Sequence, residues 1–384
     1  TTCDPPDRQR RTQHMTDVAV IGFAQAPNER HSPATTNGVE MLVPIFHEVF
    51  AATGLTKNDI GFWCSGSSDY LAGRAFSFVS AVDAIGAFPP VMESHVEMDG
   101  AWALYEAWLK ILTGEAEIAL AYGFGKSSAG NLRRVLALQL DPYLVAPLWP
   151  DSVSIAALQA RLGIETGLWT ESDMALVAAR SRANARDNPA ALRQTGSSDV
   201  SGVSDDEASA ESEGTVRCLW ELLARPYVAE PLRAHDCAPV ADGAAVVILA
   251  AGERARELCG RPAWITGFEH RIDSASLGAR DLTTAPSAAA AGKAAGASRA
   301  QVAELHAPFT HQEIILRRAL DLDDGVNLNP SGGALCGNPM FAAGLARIGS
   351  AATEIMSGRA DVALGHATSG PALQQNLICV MEAR

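Results

Sequence analysis

Residues 327–340 read NLNPSGGALCGNPM, and an Ala/Gly-rich run follows them as far as Gly358. Three glycines and two prolines in fourteen residues exclude a regular helix or a central strand. They predict a tight loop whose bare backbone lets a ligand approach its N–H groups. The small residues of 341–348 favour a closely packed, buried helix, and 361–365 reads as a short apolar strand. A glycine loop that leads into a buried helix suits an anionic or thioester group.

The second half of the chain repeats the first. The matching segments are 113–120 with 357–364, 56–60 with 298–302, and 18–22 with 263–267. The first two pairs are offset by 244 and 242 residues. Three matches in the same order at nearly constant offset predict the duplication of one α/β unit.

Local patterns predict the elements of the first half and of the segment that follows it, and they mark two irregular segments. Strands are expected at 17–22, 60–64 and 118–121, and helices at 38–53, 76–85, 98–112, 151–167 and 172–187. Residues 1–14 are polar and basic without an apolar period, which predicts a disordered extension. Residues 195–213 are rich in Ser, Asp, Glu and Gly, which predicts a solvated or disordered acidic loop.

Composition narrows the class of protein. With 384 residues, 47% hydrophobic and 19% charged, the chain is long enough for an extensive core. A net charge of −14 argues against nucleic acid or an anionic membrane as a partner. We find no apolar run of about twenty residues, which argues against a transmembrane helix. Seven scattered cysteines without a Cys-x-x-Cys pair favour reduced thiols in a cytoplasmic protein, and no ligand spacing suggests a metal or another cofactor.

Three stretches together resemble one known family. Residues 329–333 (NPSGG) and 337–339 (GNP), followed by the Gly/Ala helix, resemble the C-terminal signature loop of the thiolase superfamily. Residues 230–245 resemble the segment that opens the second half of that family, and 304–310 (ELHAPFT) the segment that brings its catalytic histidine or tyrosine. The similarity extends from about Asp17 to the C-terminus. Within the superfamily the chain is most similar to the sterol-carrier-type lipid-transfer branch, which includes steroid side-chain aldolases.

The resemblance implies a fold and a division of the chain. The implied fold is the α/β thiolase fold, in which two pseudo-repeated βαβ halves form a five-layer αβαβα sandwich with the catalytic pocket between them. We expect an extension at 1–14, an N-terminal half at 15–124, a loop or cap region at 125–233 that contains the acidic segment 195–213, and a C-terminal half at 234–384.

The residues of thiolase chemistry are missing at the matching positions. The stretch 95–102 (HVEMDGAW) holds no cysteine where the family has its nucleophile, and Glu97 lies nearest the expected position. The Gly-His-Pro of condensing thiolases is Gly-Asn-Pro here at 337–339, and the late Cys-x-Gly is replaced by Ser-Gly-Pro at 369–371. Claisen chemistry through an acyl-enzyme is therefore not expected.

The remaining polar residues suit acid–base chemistry on a β-hydroxyacyl-CoA. A retro-aldol cleavage needs a base for the hydroxyl proton and donors for the enolate oxygen. His306 is the first choice as base and Asn338 as donor, with His311 and Glu97 as further catalytic candidates. The candidate substrate-binding residues are Ser331, Gly332, Gly333, Gly337 and His366. Structural roles stay open beside these: a lone histidine is often structural, an asparagine bonds its own turn, and a carboxylate stabilises a helix N-terminus.

Three functions follow from these observations. The first is an aldolase (carbon–carbon lyase) that acts on a steroid-type acyl-CoA. The resemblance implies that it works as a homodimer, joined by an OB-fold/zinc-ribbon protein that binds acyl-CoA. The second is a non-catalytic thiolase-like subunit that scaffolds a partner enzyme. The third, acyl transfer, requires Cys336 or Cys64 to line the pocket. Convergence of His306 and Asn338 at one open pocket distinguishes the first function from the second.

Overall fold

The computed structural model describes residues 16–33, 37–71, 75–192 and 219–384. The expected extension at 1–14 and the acidic segment at 195–213 lie outside these ranges. The strands are β1 (Val18–Gln25), β2 (Phe62–Gly66), β3 (Glu93–Val96), β4 (Ile118–Lys126), β5 (Tyr227–Ala229), β6 (Leu232–Arg233), β7 (Val240–Ala251), β8 (Ala263–Ile272), β9 (Val302–Glu304), β10 (Asn327–Leu328), β11 (Asn338–Pro339), β12 (Val362–Ser369) and β13 (Gln375–Glu382).

The helices begin and end close to the predicted bounds in the first half. They are α1 (Gly38–Thr53), α2 (Ser77–Ile85), α3 (Gly100–Leu112), α4 (Leu132–Ala137), α5 (Ser152–Glu165), α6 (Glu171–Asn184), α7 (Gly252–Leu258), α8 (Pro286–Ala295), α9 (Thr310–Ala319) and α10 (Ala343–Met356). Along the described ranges, none of them is long and apolar enough to cross a membrane.

The predicted duplication is confirmed by the sheet. One five-stranded segment has the order β3-β2-β4-β7-β1, and the other has the order β10-β9-β12-β13-β8. In both segments the first three strands are parallel to one another and the last two pair in antiparallel fashion. The segments join where β1 pairs with β8, through Ala19 with Trp264 and Val20 with Ala263.

Three large apolar clusters of the described core lie between the layers of the fold, and a fourth, smaller one includes Ala137 of α4 and Ile155 of α5. Helices α1 and α2 pack on the outer face of the first segment, and α8 and α9 pack on the outer face of the second. Between the segments lie α3 and α10, whose buried Ala103, Ala107, Leu345 and Ile348 belong to one central cluster. This is the five-layer αβαβα sandwich that the resemblance implies.

Strand β4 is five residues longer than the sequence pattern predicts. The additional residues include Gly123 and Gly125, which lie beyond the predicted end of the strand at residue 121. The carbonyl oxygens of Phe341 and Met340 lie 2.2 Å from where a Cβ atom would stand on these two glycines. The glycines are therefore inside the strand because the loop before α10 crosses it in direct contact.

One carboxylate joins the two central helices at their N-termini. Asp99 Oδ1 accepts hydrogen bonds from the N–H groups of Ala101 and Leu345, both at 2.9 Å, and Oδ2 accepts from Gly344, also at 2.9 Å. Asp99 thus serves the free N–H groups of α3 and α10 together. This arrangement brings the two halves of the chain to one point, and the candidate site lies there.

Candidate active site

A cavity of about 630 Å³ opens beside the N-termini of α3 and α10. Residues of both halves line it, together with the cap region, in which α4 and the residues after it supply Leu132, Val135, Leu136, Leu138 and Leu140. Apolar groups make up most of its wall, and the polar side chains on it include Glu97, Asp99, Arg133, His306, Gln312 and Asn338. A mainly apolar cavity of this size with a few convergent polar groups is typical of a small-molecule site.

His306 and Asn338 converge at this cavity. His306 follows strand β9 by two residues, and Asn338 lies in β11, which pairs with Val240 of β7. The distance from His306 Nε2 to Asn338 Oδ1 is 2.8 Å. Burial lowers the pKa of His306 to about 4, although the bond to Asn338 raises it, and Arg347 lowers it further. The imidazole is therefore neutral near pH 7.

The partners of His306 fix the position of its single proton. Nδ1 lies 3.4 Å from the backbone N–H of Thr368, which can only donate. Nδ1 is therefore the acceptor, and Nε2 carries the proton and donates to Asn338 Oδ1. This tautomer is assigned from the hydrogen bonds. In this tautomer His306 is the donor to Asn338. The N–H groups of the Asn338 amide take no part in the bond between the two residues.

His366 lies behind His306 and does not line the cavity. It is fully buried, its Nδ1 accepts the backbone N–H of His306 at 3.2 Å, and its Nε2 lies 2.9 Å from Asn376 Oδ1. Burial lowers its pKa to about 3. The structure thus gives this predicted substrate-binding residue a supporting contact to the main chain of His306.

Of the four catalytic candidates, His311 is the one that does not line the cavity. It lies on α9, fully buried, with Nε2 3.1 Å from Gln159 Oε1 and its ring stacked on Trp169. Burial lowers its pKa to about 3. The next residue, Gln312, lines the cavity instead. One residue along a helix turns a side chain by about 100°, so the sequence alone did not distinguish these neighbours.

Two carboxylates, Glu97 and Asp99, lie just before α3. The sequence analysis named Glu97 as a catalytic candidate and did not name Asp99. Glu97 lines the cavity, its side chain is 59% exposed, and His95 Nε2 lies 3.6 Å from its Oε2. Helix α3 begins at Gly100 with Asp99 as its N-cap, so the capping role that we considered for Glu97 belongs to Asp99. An Asp just before an apolar helix is an N-cap signal that would have identified Asp99. Burial raises the pKa of Asp99 against the three N–H donors that lower it.

The glycine loop does not offer its N–H groups to the cavity. Four of them are bonded within the protein: Ser331 to Glu304 (2.8 Å), Gly332 to Asn329 (2.9 Å), Gly333 to Ser331 Oγ (3.2 Å) and Gly337 to Ala334 (3.2 Å). None of these four predicted substrate-binding residues lines the cavity. Neighbouring protein groups also occupy the space beside these glycines. Substrate binding by these four residues stays a prediction.

The described cysteines do not supply an activated nucleophile. Cys64 and Cys336 lie outside the cavity, and burial raises their thiol pKa values to about 12 and about 11. Cys237 does line the cavity, which the sequence analysis missed, and burial raises its pKa to about 12. A thiol with a raised pKa is a poor nucleophile near neutral pH. Across the described ranges, no cluster of His, Cys, Asp or Glu could hold a metal ion.

Two curated relatives share part of the sequence, and no family model matches the chain. An acetyl-CoA acetyltransferase of Methanothermobacter thermautotrophicus is 25% identical over 287 residues, which are 67% of this chain and 70% of the relative. An acetyl-CoA acetyltransferase of Methanocaldococcus jannaschii is 30% identical over 160 residues, which are 34% of this chain and 41% of the relative. Both names belong to enzymes of the thiolase superfamily.

Solved structures with the same fold match nearly the whole chain. The human mitochondrial 3-ketoacyl-CoA thiolase has a TM-score of 0.72 at 17% identity, covering 96% of this chain and 100% of the other. The Bacillus anthracis acetyl-CoA acetyltransferase has a TM-score of 0.73 at 17% sequence identity, and the match covers 96% of this chain and 99% of the other. An Ltp2–ChsH2(DUF35) aldolase has a TM-score of 0.73 at 18% sequence identity, and the match covers 96% of this chain and 98% of the other. The chain has the thiolase fold, and these names together with the two relatives support the thiolase superfamily.

Proposed function

We propose that the chain is a carbon–carbon lyase that cleaves a β-hydroxyacyl-CoA by a retro-aldol reaction, without a covalent acyl-enzyme. The observation that carries this proposal is the His306–Asn338 pair, joined at 2.8 Å on the wall of a mainly apolar cavity. The raised thiol pKa of Cys237 in the same cavity argues against acyl transfer, although both curated relatives are named as acetyltransferases.

The reaction needs three groups in one place. A base removes the proton of the β-hydroxyl, the bond between Cα and Cβ breaks, and its electron pair forms the enolate of the thioester. Donors stabilise the enolate oxygen, and a proton returned to Cα gives the shortened acyl-CoA beside a carbonyl product. We assign the donor role to the amide N–H of Asn338, which His306 orients through the Asn338 carbonyl oxygen.

The base is proposed to be Glu97. It is the solvent-accessible carboxylate on the cavity wall, and His95 lies beside it. His306, the first choice from sequence, remains the second candidate, because it accepts a proton at Nε2 only after its own proton has moved to Nδ1. That tautomer would set Nδ1–H against the N–H of Thr368.

The substrate is proposed to carry a bulky apolar acyl group of the steroid side-chain type. The leucines and valine of α4 and the turn after it give the cavity a broad apolar wall. The similarity to a human 3-ketoacyl-CoA thiolase in complex with CoA supports an acyl-CoA substrate, and the similarity to an Ltp2–ChsH2(DUF35) aldolase supports the aldol chemistry. The aldolase also supports a heteromeric complex, for which we propose the OB-fold/zinc-ribbon acyl-CoA-binding protein implied by the resemblance.

A homodimer is proposed along strand β3. This strand lies at the edge of the sheet and has one open side. Large apolar side chains at the start of α2 and in the segment that leads from α2 into β3 are exposed to solvent, namely Phe76, Val79, Phe88 and Met92. An open strand edge flanked by exposed apolar groups favours pairing with a second copy. Sedimentation of Met92→Lys beside the parent chain tests this contact, and a dimer of unchanged strength contradicts it.

The activity is tested by incubating the chain, with and without the partner recovered from its host, with a steroid-type β-hydroxyacyl-CoA. Mass spectrometry should detect a carbonyl product and a shortened acyl-CoA. His306→Gln should reduce cleavage strongly, whereas His47→Gln, which changes an exposed histidine, should leave it unchanged. Equal cleavage by both variants contradicts the proposed site.

The second candidate is a non-catalytic subunit that completes a partner's site. The absence of the family cysteine from 95–102 and of the Gly-His-Pro histidine favours it. An intact complex that cleaves no member of a broad β-hydroxyacyl-CoA panel would support this candidate over the lyase.

A further inference from the structure

One polar side chain on the wall of the candidate active site has no role in the proposed reaction. Gln312, on α9, lines the cavity, and only 3% of the residue is exposed. Its Nε2 donates a hydrogen bond of 3.0 Å to Gln159 Oε1, on α5. Its Oε1 is buried and has no hydrogen-bond partner among the described residues. Leaving a buried acceptor unpaired is unfavourable, so a ligand that donates to this oxygen gains by binding.

The neighbours of Gln312 fix the orientation of its amide. The carbonyl oxygen of Leu282 can only accept, and it lies 2.8 Å from Gln159 Nε2, so Gln159 presents its Oε1 on the other side. That oxygen accepts from the neutral His311, through Nε2 at 3.1 Å, as well as from Gln312. A turned Gln312 amide would set two carbonyl oxygens against each other. Nε2 therefore faces Gln159, and Oε1 is the atom of Gln312 that is left for a ligand.

The wall of the cavity beside Gln312 is apolar. Helix α5, which holds the Gln312 amide, presents Val153, Ile155 and Ala156 to the cavity. Ile155 belongs to one apolar cluster with Leu140, which is part of the wall that the proposed function assigns to the acyl group. An acyl group that covers this wall keeps water from the unpaired acceptor, so binding is favourable when the acyl group supplies a donor of its own.

We propose that Gln312 is a specificity-determining residue, whose Oε1 selects an acyl group that carries a hydroxyl over one that carries a ketone at the same carbon. A hydroxyl donates to Oε1 and satisfies it, whereas a ketone oxygen is an acceptor and leaves it unpaired. A site that pairs a ligand hydroxyl discriminates strongly against analogues without it, because its own polar group is then buried and unpaired. This selection rests on the proposed function for the acyl-CoA substrate and adds the class of acyl group to it.

Binding to the purified full chain tests this selection without any need for catalysis. Two steroid acids serve as probes, since cholic acid carries ring hydroxyls where dehydrocholic acid carries ketones. Neither acid has a β-hydroxyl in its side chain or a pantetheine arm, so those donors cannot produce a difference between them. Isothermal calorimetry, below the concentration at which cholic acid forms micelles, should show that cholic acid binds tighter by about tenfold or more.

The variant Gln312→Met removes the acceptor and keeps an unbranched side chain of the same length. The affinity for cholic acid should fall by about tenfold, the affinity for dehydrocholic acid should not fall, and the two acids should then bind alike. The matched control is Gln139→Met, at an exposed glutamine on the same cavity wall. Water already satisfies the amide of an exposed glutamine, so this variant should keep the preference of the parent chain.

An assay of β-hydroxyacyl-CoA cleavage separates this selection from the proposed function. If the parent chain binds both acids equally, or neither, the selection is overturned, and cleavage in the same preparation leaves the lyase standing. A preference for cholic acid without cleavage supports the selection and counts against the lyase. A preference that persists in Gln312→Met overturns the selection, because another group then binds the hydroxyl. The comparison of the two acids in the parent needs no variant, so it decides even if Gln312→Met does not fold.

Discussion

The two ends of the stretch 327–340 have different roles in the structure. At 329–333 the backbone N–H groups are bonded inside the protein, and the side chain of Ser331 bonds Glu304 at 2.7 Å. At Asn338 and Met340 the same stretch turns to the large cavity, and Asn338 meets His306 there. The first part anchors the loop and the second part forms the site. A glycine-rich sequence thus indicates that something approaches the backbone closely, without saying whether protein or ligand approaches.

Breaking the anchor should have the largest effect. Glu304 and Arg347 are joined at 3.0 Å, with side chains only 1% and 4% exposed. Glu304→Ala leaves the Arg347 charge buried without its carboxylate, so the free energy of unfolding should fall by about 3–5 kcal/mol. Urea unfolding measures this change.

The control for the anchor is a surface pair. Arg359 bonds Glu354 at 2.7 Å, and its side chain is 57% exposed. Arg359→Ala should lower the free energy of unfolding by about 0–1 kcal/mol. If Glu304→Ala costs no more than Arg359→Ala, the first part of the stretch is not the anchor described above.

Breaking the site should remove activity with little change in fold. Asn338→Ala deletes the proposed donor to the enolate oxygen, so kcat for retro-aldol cleavage should fall by about 100- to 1,000-fold. The matched control is Asn188→Ala, which removes a 2.8 Å hydrogen bond to the Ser331 carbonyl in the anchor. It should lower the free energy of unfolding by about 0.5–1.5 kcal/mol and leave kcat unchanged. If instead Asn188→Ala lowers kcat and Asn338→Ala lowers only stability, the roles assigned to 329–333 and to Asn338 would be contradicted.

The comparison also shows how far the sequence predicts this molecule. The bounds of α1 coincide with the pattern, because Asn37 and Glu40 form a capping box at its start and Gly54 ends it in the left-handed region. The duplicated halves were visible as repeated segments. Each of these features is local in sequence or repeats at a fixed offset, which is why residue patterns reveal it.

The candidate site was predictable only in part. The family resemblance brought His306 and Asn338 to one place, and the structure joins them. It did not reveal that Asp99 caps two helices, since Leu345 lies 246 residues away. It also could not separate His311 from Gln312, because their directions depend on how α9 packs against α5. Contacts between distant elements decide these cases.

A methyl group in the anchor should have a smaller effect. Gly332 has a φ of +93°, and a Cβ atom there would lie 2.6 Å from the Cβ of Ala185. Gly332→Ala adds left-handed backbone strain to a steric clash, so the free energy of unfolding should fall by about 1–3 kcal/mol. Gly358 has a φ of +77° with no atom within 4 Å, so Gly358→Ala isolates the strain alone. If both variants lose the same free energy of unfolding, the loop moves away from Ala185 without an energetic cost, and the predicted clash contributes nothing.

The smallest predicted effect is the contribution of one buried histidine, His366, to the pH dependence of the free energy of unfolding. Burial lowers the folded-state pKa of His366 to about 3, whereas an unfolded histidine has a pKa of about 6.5. Between these values the unfolded chain binds a proton that the folded chain does not. The free energy of unfolding therefore decreases as the pH is lowered from about 6.5 towards 3, by up to about 1.4 kcal/mol per pH unit for this residue.

His366→Gln should remove this one-proton slope from urea unfolding measured between about pH 6 and 4.5. Buried carboxyls such as Asp99 and Glu304, whose pKa values burial raises, change stability with the opposite sign. They are present in both chains, so the difference between the two slopes still reports His366. His47→Gln, at an exposed position, should keep the parent slope. If His366→Gln also keeps it, the support behind His306 takes up a proton without unfolding, and the site is less rigidly held than the anchor.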